Sequence, residues 1–243
     1  MTIEIIKIER PDDSKFDQAM RIYTKNLKLC LRQPPRVLRH ILDKVNDGDY
    51  GDQNYHIFLA RKTDEPIGMM TLNYFPDVNV GFIGYIVIAR KYWGQGIGRA
   101  LYQKGRDQID SDAYARNREK AAALVYEVSK INVHDKIEKQ EDINRIRFFN
   151  SLGGYIIEGI KYYQPPLRKS DPPTSLYLMI HPFSETLLLN FKQDWVARLI
   201  RSIFEHVYRL ECPLSETETE MHINKIIASI EPLNLHLLNE TLL

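Results

Sequence analysis

Residues Gly81–Arg106 read GFIGYIVIARKYWGQGIGRALYQKGR. The first part, Ile83–Ile88, is apolar and β-branched, the composition of a strand buried on both faces. A basic turn follows, Arg90-Lys91-Tyr92-Trp93, then Gly94-Gln95-Gly96-Ile97-Gly98, and then Arg99-Ala100-Leu101-Tyr102, which has helix composition. The first turn of a helix has amides without intrahelical acceptors and carries the positive end of the dipole, and glycines let phosphates approach the backbone closely. An anionic ligand is expected at this junction. Glycines at alternate positions make no G-x-G-x-x-G, no acidic residue sits at the ribose spacing, and no Gly-Lys-Ser/Thr follows, which excludes a dinucleotide fingerprint and a Walker loop. A plain glycine-rich turn is the simpler alternative.

The chain around this stretch is that of an ordinary globular protein. With 243 residues it can hold one large domain, or one domain with an appendage, around a sizeable core. Lys and Arg number 33 against 32 Asp and Glu, so no basic field argues for nucleic acid. The two cysteines, Cys30 and Cys212, lie far apart without metal-type spacing, and His40, His56, His134 and His181 are scattered, so neither a disulfide framework nor a metal is expected. MTIEIIKIER reads as a charged alternating strand rather than a signal peptide, and no apolar run reaches membrane-spanning length. A cytoplasmic protein without a membrane partner is the expectation.

In chain order, Thr2–Glu9 alternates as a strand, and Asp12-Asp13-Ser14 offers caps for a helix carrying Phe16, Ala19, Met20 and Tyr23 on one face. Pro34-Pro35 ends it, and Val37, Leu38, Ile41, Leu42 and Val45 mark a second helix. Tyr55–Arg61 and Ile67–Tyr74 read as strands joined by a turn at Thr63-Asp64-Glu65-Pro66. After the motif helix, running from about Ile97 past Ile109, Lys120–Ser129 is a buried strand, expected parallel to Gly81–Ile88 through a right-handed crossover. Ile131–Glu141 reads as a long polar connection and Asp142–Leu152 as a helix ended by Gly153-Gly154. Tyr155–Tyr163 and Ser175–His181 read as a last pair of strands around the proline-rich Gln164–Pro173. From Ser184 the composition is that of helices only. Val196, Leu199, Ile200, Ile203, Phe204 and Val207 form one stripe, Ile223, Ile226, Ile227 and Ile230 another, Ser215-x-x-Glu218 is a capping-box pattern, and Pro232 is a stop signal.

Tyr85–Leu101 resembles motif A of the GNAT N-acetyltransferase superfamily, usually written Arg/Gln-x-x-Gly-x-Gly/Ala, with Trp93 at the Arg/Gln position and Gly96 and Gly98 in register. The order βααβββαβαββ over residues 2–182 is also the order of the GNAT fold. The resemblance implies an α/β fold: a mixed, mainly antiparallel sheet flanked by helices in residues 1–182, followed by a C-terminal two-helix extension in residues 183–243. It further implies acetyl-CoA or another acyl-CoA as co-substrate, with no metal. The pyrophosphate would be held by Trp93, Gly94, Gln95, Gly96, Ile97, Gly98 and Arg99, the pantetheine would pair with the backbone of Ile86, Val87 and Ile88, and Asn144 would bond coenzyme A. Arg90, Lys91, Arg99 and Lys104 would either meet the adenosine phosphates or remain solvated.

Acyl transfer to an amine needs a base for the ammonium proton and, optionally, an acid for the leaving thiolate. Glu127 is the one acidic residue inside the apolar run Ala121–Val128. A carboxylate there is either satisfied by a neighbouring Tyr or Arg, or used. Glu127-Val128-Ser129 resembles the Glu-Val-Arg stretch of bacterial ribosomal-protein N-terminal acetyltransferases, in which the Glu is the base. Many GNAT proteins carry a Tyr acid on the following helix, but Phe149 occupies that position here and has no proton to give. Either Tyr126, Tyr162 or Tyr163 is the acid, Tyr163 foremost, or the thiolate leaves unassisted and is protonated by water. Tyr162-Tyr163-Gln164-Pro165 resembles the Tyr-Tyr-Pro strand ending that touches the acceptor, so these tyrosines either line an acceptor slot or pack the sheet end; Tyr162 and, next to Glu127, Tyr126 are the candidate acceptor contacts. Arg32, Arg36 and Arg39 could receive an acidic acceptor or form a solvated helix face.

The reading that results is acyl-CoA-dependent N-acylation, most simply acetylation, of a primary amine on a small molecule or peptide by direct attack. A long-chain acyl donor and a non-catalytic acyl-CoA sensor are the alternatives. The apolar C-terminal stripes allow packing on the domain, an acyl-pocket wall or a homodimer.

Overall fold

The computed structural model describes residues 3–49, 54–132, 134–169, 171–184, 187–188 and 191–236. Residues 1–121 and 122–243 form two compact units.

In the first unit, strands β1 (Ile3–Ile8), β2 (Asn54–Lys62), β3 (Glu65–Phe75) and β4 (Val80–Ile88) pair antiparallel in that order. The Thr2 end of the expected first strand lies outside the described residues. Helices α1 (Ser14–Asn26) and α2 (Pro35–Asn46) connect β1 to β2, and α3 (Ile97–Tyr114) follows β4. Asp13 caps α1 by accepting from the Lys15 amide at 2.9 Å, as the Asp-Asp-Ser run foretold. The β2–β3 turn is tighter than expected: Glu65 and Pro66 belong to β3, with Thr63 at φ 56° in the turn. Side chains alternate across the sheet, so Tyr85 of β4 meets Tyr23 of α1 edge-on at 4.9 Å, while Met70 and Leu72 of β3 lie under Gly105 of α3.

Strand β4 departs from the continuous buried strand expected of Ile83–Ile88. Thr71 opposes Tyr85 and Leu72 opposes Ile83, so Gly84 is an extra residue in a β-bulge, across which the Tyr85 amide donates to Thr71 Oγ1 at 2.9 Å. Val80–Ile83 are buried, whereas Gly84, Tyr85, Ile86 and Ile88 are only half-buried. The bulge re-aims the end of the strand that leads into the glycine loop.

In the second unit, β5 (Ala123–Ser129) pairs antiparallel with β8 (Thr174–Pro182), Glu127 opposite Leu178. Strand β8 also pairs with β6 (Tyr155–Glu158) and the short β7 (Tyr163–Gln164). Helix α4 (Lys136–Asn150) begins six residues earlier than expected, within the supposed polar connection, because Asp135 caps it by accepting from the amides of Ile137 and Glu138 at 2.8 and 2.9 Å. The stretch Lys136–Glu141 has little apolar periodicity but good helix formers, which is why a hydrophobic pattern starts the helix too late.

The expected strand Tyr155–Tyr163 is broken in two. Gly159 adopts φ +85°, its carbonyl accepts from the Glu231 amide at 2.8 Å, and the Lys161 amide donates to Ser229 Oγ at 3.0 Å, so the C-terminal segment crosses the strand there. A Cβ on Gly159 would lie 2.6 Å from the Pro232 carbonyl oxygen. Gly159→Ala is therefore expected to destabilise the protein by about 2–4 kcal/mol, left-handed strain plus overpacking, read as a lower urea midpoint at unchanged m-value.

The tail is not helical throughout. Helix α5 (Gln193–Ile203) runs through a π-helical turn, Phe204–Tyr208, into a last turn, Arg209–Glu211; α6 (Glu216–Ile227) follows with the Ser215–Glu218 capping box formed. The chain then adds a strand, β9 (Asn234–His236), antiparallel to β6. Val196, Leu199, Ile200, Ile203, Phe204 and Val207 are all buried, so the first stripe packs inward; of the second, Ile223 and Ile226 are buried while Ile227 and Ile230 are half-buried.

Candidate active site

The glycine loop lies in the first unit. Gly96 is the N-cap of α3 at φ 79°, with no side chain capping it and no acidic residue in the first turn, and Gly94 adopts φ 74°. Nothing lies within 4 Å of a Cβ built on either glycine. Gly94, Gln95, Gly96 and Arg99 are exposed, whereas Ile97 is buried and anchors the helix start. The backbone thus offers uncapped helix amides to open space, a setting that fits the pyrophosphate of acyl-CoA and needs no cationic side chain in the turn itself. Trp93 folds back on β4: its Nε1–H donates to the Ile88 carbonyl at 2.9 Å and the Arg90 guanidinium sits 5.4 Å over its ring. Ile86, Val87 and Ile88 pair with Met70, Met69 and Gly68 of β3. Lys91 and Tyr92 both bond Glu65 at 2.5 Å, and these bonds, the Lys91 one foremost, hold the Glu65 carboxyl below its ordinary value.

The titratable cluster lies in the second unit. Alternation along β5 puts Tyr126 and Glu127 on opposite faces. Tyr126 is buried against α4, stacked on Phe149 at 3.8 Å and 19°. Glu127 faces the other way, where its Oε1 accepts short hydrogen bonds from the hydroxyls of both Tyr162 and Tyr208, while Oε2 accepts none from the described residues. Burial lifts Glu127 to about 7, against the two phenol bonds, which pull it down. The same burial and the facing carboxylate push both phenols well above their ordinary range, so they stay protonated and donate. Glu211, one helical turn beyond Tyr208 and partly exposed, is raised to about 8 by the packing around its carboxyl and then by the Glu127 charge.

Tyr163 is engaged elsewhere. Its hydroxyl lies 3.0 Å from His222 Nδ1 on α6, with Lys225 Nζ 5.7 Å over its ring. Burial, then Lys225, lowers His222, which suits it to accept from the Tyr163 hydroxyl. Phe204 touches both His222 and Tyr208 by ring contacts at 6.4 and 5.0 Å, so one aromatic chain links Tyr163 to the Glu127 cluster. Asn144 is exposed on α4 and accepts from Gln140 Nε2 at 2.9 Å. Arg32 and Arg39 are occupied at α1, Arg39 pairing with Asp17 at 2.8 Å and Arg32 donating to the Leu27 carbonyl at 3.2 Å. Among the described residues no helix is long and apolar enough to cross a membrane.

Sequence reasoning missed Tyr208, Glu211 and His222. The available signal was a tyrosine in a stripe otherwise made of aliphatic residues and phenylalanine, with a carboxylate three residues further on.

Two native carboxyls lifted above the unfolded value mean that the folded protein holds more protons than the unfolded chain from the ordinary Glu range up to about pH 8. Stability falls as pH rises through that window. Glu127→Gln is expected to unfold at a higher urea concentration than wild type at pH 8, by on the order of 2 kcal/mol, with the difference vanishing near pH 4.

No curated protein matches the chain in sequence. Residues 18–128 match the acetyltransferase (GNAT) family. A GNAT-family protein from Bacteroides thetaiotaomicron shares the fold with TM-score 0.53 at 18% identity, over 77% of this chain and 93% of its own. The ribosomal-protein-S18-alanine N-acetyltransferase from Escherichia coli aligns with TM-score 0.51 at 16% identity, over 75% and 95%. The NatC complex bound to Gag peptide and CoA contains a chain that aligns with TM-score 0.52 at 15% identity, over 76% and 100%. These likenesses carry the expected α/β fold, a sheet flanked by helices, over about three quarters of the chain. The family match runs from α1 through the glycine loop to Glu127, so residues 18–128 carry a GNAT acetyltransferase domain.

Proposed function

We propose that the protein transfers an acyl group, most simply acetyl, from acyl-CoA to a primary amine of a small molecule or peptide, with Glu127 as the base. The observation that carries this reading is the Glu127 carboxyl, held at one oxygen by two phenols and lifted to about 7 by burial. A base poised near the working pH is deprotonated often enough to accept an ammonium proton and basic enough to hold it. Gly94–Arg99 and the α3 N-terminus would bind the pyrophosphate, and Ile86–Ile88 the pantetheine, with Asn144 as a further contact. Bound acyl-CoA supplies an activated thioester carbonyl. The chain's own residues bind it, orient the amine and move the proton; Tyr162 and Tyr163 would border the acceptor, and Tyr126 would form the packed wall behind β5. Residues 183–243 act as an extension that brings Tyr208 and His222 to residues of the 1–182 domain. A peptide acceptor gains support from two fold neighbours, a ribosomal-protein-S18-alanine N-acetyltransferase and the NatC complex bound to Gag peptide and CoA.

Thermal stabilisation by coenzyme A, acetyl-CoA and longer acyl-CoA donors tests the donor side. A donor at a hundred times its dissociation constant should add about 2.7 kcal/mol. Acetyl-CoA stabilising as well as any donor supports acetyl transfer. Stabilisation that rises with chain length supports the long-chain donor, and no stabilisation by any donor overturns the loop assignment.

A further inference from the structure

We propose that Tyr208, at the end of the π-helical turn in the C-terminal extension, is a positioning residue for Glu127: with Tyr162 it anchors Oε1, so that Oε2 is the oxygen that receives the acceptor's proton. This rests on the reading of Glu127 as the base.

Three observations converge on it. Tyr162 and Tyr208, from segments 35 and 81 residues away in sequence, both donate to the same oxygen. A carboxylate oxygen has two lone-pair sites, and two phenol donors fill them, which fixes the carboxyl's rotation and leaves the second oxygen for the substrate. Second, the helix carrying Tyr208 departs from α geometry at Phe204–Tyr208, a rare local form frequently found at functional sites, and it ends on the residue that bonds Glu127. Third, Tyr208 is 1% exposed in a stripe otherwise filled by Val196, Leu199, Ile200, Ile203, Phe204 and Val207, where a phenylalanine would pack without a hydroxyl to satisfy.

The proton step balances within the site. The N–H bond of the acceptor ammonium breaks, its electron pair returns to nitrogen, and an O–H bond forms on Oε2 of ionised Glu127, giving the neutral amine and the carboxylic acid. Both phenols keep their protons throughout. The groups facing Glu127 are Tyr162 from the segment before β7, and Tyr208 and Glu211 from the C-terminal helix, with Cys212 against Tyr208. Strand β8 places uncharged Leu178 opposite it. The phenols favour the carboxylate, and burial and Glu211 oppose it.

The test is an infrared pH titration of the full chain that follows the protonated-carboxyl band lost in Glu127→Gln. Tyr208→Phe removes one charge-assisted donor while keeping the ring, so the Glu127 midpoint should rise by about one to two pH units. Placing 3-fluorotyrosine at 208, a stronger donor, should move it down. In acyl transfer the acid limb of the kcat profile should rise with the midpoint in Tyr208→Phe, with the donor KM unchanged. A folded Tyr208→Phe protein whose midpoint stays at the wild-type value, or a fluorotyrosine protein that does not shift downward, overturns the proposal and leaves Tyr208 a packing residue. The titration needs no acceptor, so it judges Tyr208 independently of whether Glu127→Gln abolishes transfer, which judges the proposed function.

Discussion

Glu127→Gln should lower acyl transfer by about 10²–10⁴-fold, the usual contribution of a positioned general base, while leaving coenzyme A affinity within about twofold of wild type. Gln keeps the shape and can still accept from Tyr162 and Tyr208 at its carbonyl oxygen, so the cluster retains its packing. It cannot take a proton. The substitution also removes a costly buried charge, so the variant should be at least as stable as wild type at pH 8. That combination, a slower enzyme that is no less stable, separates loss of a base from partial unfolding. Single-turnover thiol release across pH 5–9 is the measurement. The wild-type rate should rise with pH through the Glu127 midpoint, and that limb should be missing from the variant. A variant with the wild-type rate and profile would remove Glu127 from the chemistry and return it to the satisfied carboxylate that its two phenol partners also allow.

Gly96→Glu should weaken coenzyme A binding by on the order of 10–100-fold or more and remove most of the thermal stabilisation that acyl-CoA gives. Two effects combine. Gly96 sits at φ 79°, where an L-residue costs about 1–2 kcal/mol. The space beyond its Cα is open, so the new side chain meets no protein atom and extends into the volume a pyrophosphate would fill. Its carboxylate would also answer the positive end of α3 and repel an incoming diphosphate. Favourable interaction with the dipole offsets part of the strain, so the ligand-free protein should lose only about 1 kcal/mol. Gly96→Ala provides the contrast: the same backbone strain without the charge, and a much smaller loss of affinity. Equal losses in the two variants would show that loop conformation, not anion recognition, controls binding.

Much of the fold was legible because its signals are local. The β4–loop–α3 junction declares itself through composition and glycine spacing, and Asp13 and the Ser215–Glu218 box mark helix starts that formed as read. The apolar stripe Val196–Val207 likewise packs as its period requires. The errors share a different cause. The break at Gly159 depends on the chain near Glu231–Pro232, and β9 exists because β6 has an edge to pair, neither of which shows in a window of neighbouring residues. Helix α4 starts early on a single cap, Asp135, ahead of any apolar repeat. The site divides in the same way. Glu127 stood out as a lone acid in an apolar strand, but its partners come from 35 and 81 residues away, and nothing local to Tyr208 says which carboxylate it will meet.

The most direct test of the central claim is acetyl transfer itself. The purified 243-residue protein would be incubated with acetyl-CoA and a panel of peptides with free N-termini and small primary amines, with product mass and thiol release followed together. The account predicts amine-dependent thiol release, matched by a one-acetyl mass increase on at least one acceptor and abolished in Glu127→Gln. Acetyl-CoA that binds the glycine loop but releases no thiol above background with any amine would contradict it.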